Sequence, residues 1–135
     1  MRIKKVGESS PWGQIDHVQP VVEGAVVVDT PGHGGLFLSP DFPRAERSRL
    51  PAPWCNTLWF EEDCEMYVPV FFIPRLRAWF IEKCQVNNGW SPEESAAKLR
   101  AIVLRWYPEL LAEVAAVDAG NAARAVLAAS AAALL

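Results

Sequence analysis

The chain has 135 residues, of which 51% are hydrophobic and 21% are charged, and its net charge is -3. This length and composition predict a single domain, residues 1–135, with one core, and exclude a disordered chain. The negative charge argues against nucleic acid as a direct partner, because phosphate binding needs a basic face.

The cysteines and the two ends of the chain indicate where the protein works. The three cysteines, Cys55, Cys64 and Cys84, form neither a disulfide set nor a CxxC pair, which is typical of a reducing cytoplasm. The charged start lacks the apolar run of a secretory signal. The alanine-rich end contains Arg124 and is too short to cross a bilayer. We therefore expect a cytoplasmic protein with no membrane segment.

The β-rich part of the chain is predicted to be residues 14–40, after an N-terminal arm of residues 1–13. The arm is rich in turn-forming residues, and Trp12 is expected to pin it to the core. Two runs of β-branched residues on either side of Gly24 predict two strands joined by a tight turn. A third strand is expected over residues 35–38.

The middle of the chain is predicted to be a surface loop. Residues 41–58 contain three prolines, each of which disfavours the interior of a helix or strand. We interpret the three arginines of this loop as solvated surface: Arg44, Arg47 and Arg49.

Residues 61–72 are ambiguous between helix and strand. The apolar side chains recur at helical spacing at Cys64, Tyr67, Val68, Phe71 and Phe72. Pro69 opposes a straight helix, since an interior proline costs about 3 kcal/mol. Residues 67–73 are alternatively a strand. The pattern favours a helix that is kinked at Pro69.

Helical signals dominate from residue 74 onwards. The first helix is predicted to end at Gly89, and a second to begin after the N-cap Ser91. Pro108 is expected to break or bend the second helix, and Gly120 to separate a last, alanine-rich helix. The buried stripe of the second helix is predicted to contain Leu99, Ile102, Val103 and Trp106.

Strands that precede helices in the chain predict an α+β fold. We expect a small antiparallel sheet of about three strands in the N-terminal half. Three or four helices would pack on it, with residues 59–135 mainly helical.

Two spaced motifs resemble those of a known family. They are Thr30-Pro31-Gly32-His33-Gly34-Gly35-Leu36-Phe37-Leu38-Ser39-Pro40 and Trp59-Phe60-Glu61-Glu62-Asp63-Cys64-Glu65. The pair is similar to a family of uncharacterised domains found in plasmids, phages and proteobacterial genomic islands. The resemblance covers about residues 12–85 and departs from the family at Gly32, Phe60 and Pro69. It implies a mobile-element setting and brings no established activity.

His33 stands between glycines and has two interpretations. In the functional one, His33 is a general base or a ligand contact, and Gly34 and Gly35 let the backbone approach a ligand closely. In the structural one, the glycines form the hairpin turn and the imidazole fills a polar gap beneath it.

Glu61, Glu62, Asp63 and Cys64 are the other candidates for chemistry. A hydrolase or transferase would use His33 with one of these acids, or with Cys64 as the nucleophile. The acids oppose formation of a thiolate at Cys64, and a simply buried thiol is the alternative. Zinc usually takes more His and Cys ligands than this cluster offers, and nothing further in the sequence supports a hard cation held by Glu62 and Asp63, so we expect no metal and no cofactor.

The two motifs are expected to touch in the fold. A buried carboxylate of Glu62 or Asp63 that hydrogen-bonds His33 and the amides of its turn would explain both motifs. The hypothesis predicts that removing either carboxylate lowers the melting temperature by several degrees.

The function that these features favour is protein binding. The predicted binding residues are His33, Gly34 and Gly35, together with Trp54 and Trp90, two tryptophans expected in loops. The favoured function is a mobile-element accessory protein that binds a host protein or complex, as an inhibitor of a defence system such as CRISPR or restriction. The alternatives are the small hydrolase or transferase above and a non-catalytic oligomeric domain. A homodimer through the alanine-rich helix is also expected, since small residues allow close helix approach.

Overall fold

The computed structural model describes residues 1–134 and confirms the α+β class. A two-stranded antiparallel sheet, β1-β2, precedes a four-stranded antiparallel sheet in the order β3-β4-β5-β6. The strands are β1 Ser9–Ser10, β2 Gly13–Gln14, β3 His17–Val22, β4 Ala25–Asp29, β5 Gly34–Leu38 and β6 Trp59–Glu61. The helices are α1 Arg44–Arg47, α2 Tyr67–Phe72, α3 Pro74–Asn88, α4 Pro92–Trp106 and α5 Leu111–Ala133, with short 3₁₀ turns at Ala52–Trp54 and Pro108–Leu110.

The expected count of about three strands is too low. The hairpin turn at Gly24 and the strand beginning near Gly35 are both present, with Gly24 at φ +84°. The additional strand of the main sheet, β6, pairs Trp59 with Phe37 and Glu61 with Gly35. Three residues are too few to show an alternating pattern, and the pairing partner of β6 lies more than twenty residues earlier in the chain, so the local sequence does not predict this strand.

The ambiguous segment resolves into a strand end, a turn and a short helix. Glu61 ends β6, and α2 begins only at Tyr67, so the prediction of one kinked helix over residues 61–72 is wrong. Pro69 lies in the first turn of α2, where a backbone N–H has no intrahelical acceptor. A proline there costs no helical hydrogen bond, and Ile73, with extended backbone, separates α2 from α3.

The predicted helix boundaries around residue 90 are confirmed. Gly89 ends α3 in the left-handed conformation at φ 69°. The hydroxyl of Ser91 accepts a hydrogen bond from the Glu94 backbone N–H at 3.1 Å and caps α4. Trp106 is wrongly predicted as core, since 52% of its surface is exposed at the end of α4.

Helix α5 does not break at Gly120, contrary to the prediction. It continues to Ala133, because helix formers surround the glycine on both sides. Beyond Asn121 its side chains, as far as residue 134, are exposed. None of the helices within residues 1–134 combines the length and the apolar character needed to cross a bilayer.

The main sheet has apolar side chains on both faces. One face, with Leu36, Leu38 and Phe60, packs in the large core together with residues of α2, α3, α4 and α5. The other face, with Val28 and Phe37, is packed against by Trp12 of the N-terminal arm. Trp12 therefore pins the arm to the core, as expected.

Candidate functional site

The turn between β4 and β5 is held by Thr30. Its backbone N–H donates to the His33 carbonyl oxygen at 2.8 Å, and its hydroxyl lies 2.7 Å from the same oxygen. The His33 N–H donates to the Thr30 hydroxyl at 3.2 Å. Thr30 is 9% exposed, so these bonds form in a largely dry setting and fix the backbone of His33.

Gly34 and Gly35 are both buried, and both are required by close approach. A Cβ atom at Gly34 would stand 2.9 Å from Glu62 Oε2 and 3.1 Å from Asp29 Oδ1. A Cβ atom at Gly35 would collide with the carbonyl oxygen of Phe60. These glycines let neighbouring strands and side chains come close, which is a structural role.

The two motifs touch, as predicted. Gly35 pairs with Glu61 across β5 and β6, and the Glu62 N–H donates to the Gly34 carbonyl at 3.0 Å. The Glu61 carboxylate lies beside His33, whereas the Glu62 carboxylate, at the start of the turn after β6, lies beside Gly34 and Asp29, so the two neighbouring acids point to different sides. The register therefore decides which acid approaches the imidazole.

His33, Glu61 and Asp63 form the resulting cluster. His33 Nδ1 lies 3.6 Å from Glu61 Oε1, and ligand atoms of all three side chains lie within 4.8 Å of one another. The side chains of His33 and Glu61 are 56% and 34% exposed. The expectation of a buried carboxylate from Glu62 or Asp63 is wrong: the nearest carboxylate belongs to Glu61, and Asp63 is exposed.

The second histidine lies at the same end of the sheet. His17 pairs with Asp29 across β3 and β4, and His17 Nδ1 lies 3.3 Å from Asp29 Oδ2. The Glu62 carboxylate approaches Asp29 across the space that Gly34 leaves without a side chain. Both histidines of the chain thus stand beside carboxylates at one end of the main sheet.

Cys64 lies beside Tyr107 rather than beside His33, the residue with which it would form a catalytic dyad. It lies in the turn after β6, is partly buried, and its thiol is a neighbour of the Tyr107 phenol. Burial of the phenol, followed by its interaction with Cys64, raises the pKa of Tyr107. The cluster of His33, Glu61 and Asp63 does not include Cys64.

Trp54 and Trp90 are both partly buried. The ring of Trp54 packs edge-on against Tyr107, with centroids 5.1 Å apart. The ammonium of Lys98 lies 4.5 Å from the centroid of the Trp90 ring. Each indole ring therefore already packs against a residue of this chain, and a binding partner could contact only the part of the ring that remains exposed.

Arg47 is the residue whose role the sequence did not reveal. Its guanidinium donates to the carbonyl oxygens of Thr57 at 2.8 Å and Ser39 at 2.6 Å, and also to those of Leu38 and Cys55. Burial lowers the pKa of Arg47. The interpretation of the loop arginines as solvated surface is therefore wrong for Arg47, which ties the loop to the end of β5.

A groove of about 740 Å³ lies between the α2–α3 segment and α5. Aromatic and aliphatic side chains of all three helices line it, including Phe72, Ile81 and Val117. Three arginines also line it: Arg49, Arg77 and Arg124. The groove was not foreseen from sequence, because its two sides lie some forty residues apart in the chain.

Comparison with known proteins places the chain in a family and no further. No curated protein and no solved structure matches it. A family model described as a domain of unknown function, DUF7007, matches residues 5–132, a longer stretch than the resemblance over residues 12–85. The chain belongs to the DUF7007 family.

Proposed function

We propose that this protein acts by binding another protein, and that the groove between α3 and α5 is its contact surface. The observation that carries the proposal is the combination of an apolar lining with three arginines. A groove of this kind between helices fits a peptide segment that offers apolar side chains and carboxylates.

The charge of the groove is opposite to that of the whole chain. The chain carries a net charge of -3, whereas none of the groove-lining residues, all within the described part of the chain, is acidic. Such local charge selects an acidic partner and speeds its encounter.

Two of the three groove arginines are held in place before any partner arrives. The guanidinium of Arg77 lies 4.5 Å from the centroid of the Phe71 ring, and burial lowers the pKa of Arg77. Arg124 donates to Asn121 Oδ1 at 2.7 Å. Side chains ordered in advance lose less conformational entropy on binding.

The proposed partner is a host protein or protein complex in the cytoplasm. The three free cysteines support a reducing compartment. The mobile-element setting that the motifs imply makes defence complexes, such as CRISPR or restriction systems, the first partners to test, with this protein as their inhibitor.

The test is affinity capture from host lysate with matched variants. Ile81→Glu places a charge in the apolar lining, and Arg124→Glu reverses a groove charge, whereas Arg44→Glu makes the same reversal on exposed α1. We expect the unmodified protein and the Arg44 variant to retain one stoichiometric partner that both groove variants lose. His33→Ala is a fourth arm, because loss of the partner in that variant alone would place the contact at the turn before β5.

Two other results would contradict the proposal. Capture of the same partner by all variants would show that the groove is not the contact surface. Absence of any stoichiometric partner would argue against protein binding as the function. Circular dichroism of each variant shows that lost capture does not result from unfolding.

A further inference from the structure

We infer that the cluster of His33, Glu61 and Asp63 binds a divalent transition-metal ion. One imidazole and two carboxylates offer ligand atoms within 4.8 Å of one another, and no other group of three such side chains meets that distance within residues 1–134. This site lies at the end of the main sheet and is independent of the groove.

The distance between His33 and Glu61 fits two ligands of one metal ion better than it fits a hydrogen bond between them. At 3.6 Å, His33 Nδ1 and Glu61 Oε1 are too far apart to be hydrogen-bonded. Each such atom binds Zn²⁺ at about 2.1 Å, so two ligands of one ion lie roughly 3 to 4 Å apart. Rotation of exposed side chains brings the third ligand, from Asp63, into the same range.

The backbone holds the ligands in place. Thr30 fixes the turn that carries His33, and the pairing of Gly35 with Glu61 fixes β6 beside it. Asp63 lies in the turn that follows β6, two residues after Glu61, so the chain brings both acids to the same end of the sheet. A ligand set supported by paired strands is more precise than one carried by a free loop.

The ligand chemistry selects the class of ion. Two carboxylates neutralise a divalent charge, and the imidazole favours a transition metal over Mg²⁺ or Ca²⁺. Three protein ligands leave at least one position for water, and the exposed His33 side chain leaves that position reachable. The sequence-based expectation of no metal considered zinc sites rich in cysteine and histidine and a hard cation held by Glu62 and Asp63, whereas this set combines the imidazole of His33 with the carboxylates of Glu61 and Asp63.

The test is calorimetric titration with ZnCl₂, and His17 provides the matched control. His17 is also an exposed histidine beside a carboxylate, with Nδ1 3.3 Å from Asp29 Oδ2. We expect the unmodified protein to bind one equivalent of Zn²⁺. His33→Ala and Asp63→Asn should each weaken binding by at least about 10-fold. His17→Ala should bind as the unmodified protein does.

A second measurement separates this site from binding by thiols. Mn²⁺ prefers oxygen ligands to thiolates, so it should broaden the amide NMR signals of residues 33 and 61–63 in the unmodified protein. The same signals should stay sharp in His33→Ala. Unchanged Zn²⁺ affinity in His33→Ala, equal loss in His17→Ala, or no binding at all would overturn the inference.

Discussion

The indole of Trp12 lies against the backbone of Gly35, so that a Cβ atom at Gly35 would stand 2.5 Å from Trp12 Cη2. The same Cβ atom would collide with the Phe60 carbonyl oxygen on the neighbouring strand. One glycine thus permits both the docking of the N-terminal arm and the pairing of β5 with β6. It links the small core to the strand that carries Glu61.

Gly35→Ala is therefore expected to destabilise the protein. To make room for the new methyl group, either the backbone of β6 must move and weaken its pairing with β5, or the Trp12 indole must move and lose packing contacts. Overpacking of this kind costs about 1–3 kcal/mol. Gly32→Ala is the control, because a Cβ atom there meets nothing within 4 Å. Chemical denaturation should show a lower free energy of unfolding for the Gly35 variant and a change within about 0.5 kcal/mol for the Gly32 variant. Equal stability of the two variants would contradict the close packing described here.

Arg47→Ala is expected to be the most destabilising of the arginine substitutions in the loop. It removes a charged donor from four backbone carbonyls, and a hydrogen bond to a charged group contributes about 1.5–3 kcal/mol net to stability. We expect a net loss of about 2–3 kcal/mol. Arg44→Ala, on the exposed side of α1, should change stability by less than about 0.5 kcal/mol. Thermal unfolding of both variants measures the difference, and a similar melting temperature for both would refute it.

The elements predicted correctly are those set by short-range chemistry. The Gly24 turn, the Gly89 helix end and the Ser91 cap each depend on residues within a few positions. The elements that were missed depend on distant partners, as β6 does on β5 and Arg47 on the carbonyls of residues 38–57. Local sequence contains no signal for such contacts.

The same distinction applies to the candidate site. The sequence indicated that the two motifs meet, but the acid that faces His33 follows from strand register. A one-residue change of register exchanges the faces of a strand, so Glu61 rather than Glu62 lies beside the imidazole. Because Glu62 and Asp63 are not buried, the expected loss of several degrees on their removal no longer follows from the geometry.

Stability should fall at alkaline pH because of the two tyrosines. Burial, followed by the charge of Asp63, raises the pKa of Tyr67, and burial, followed by the interaction with Cys64, raises that of Tyr107. The folded state therefore retains phenol protons that the unfolded state loses above its ordinary pKa of about 10. The contribution of the tyrosines to the free energy of unfolding is complete below about pH 10, and it is lost as the pH rises towards the pKa values that the tyrosines have in the folded state.

The double variant Tyr67→Phe, Tyr107→Phe removes both tyrosines of the chain and should flatten this decline. The measurement is the free energy of unfolding from denaturant titrations between about pH 8 and 11. Titration of lysines and cysteines affects the unmodified protein and the double variant alike. The difference between their slopes of unfolding free energy against pH therefore measures the contribution of the two phenols. Parallel pH profiles would show that the phenols titrate alike in the folded and unfolded states.

The exposed end of α5 provides the last prediction, which concerns the proposed homodimer. Val126 and Leu127 are 65% and 68% exposed, and nearby alanines would let a second helix approach closely. Deleting residues 125–135 retains Arg124 and the groove, so the shortened monomer should fold normally. Light scattering should give the mass of two chains for the full protein and of one chain for the shortened protein.

The full-length variant Val126→Asp, Leu127→Asp should also be monomeric, because two charges in an apolar helix contact are costly to bury. A full-length protein that is monomeric at high concentration would refute the homodimer. A dimer that persists both in the shortened protein and in the double aspartate variant would show that the interface lies elsewhere on the molecule.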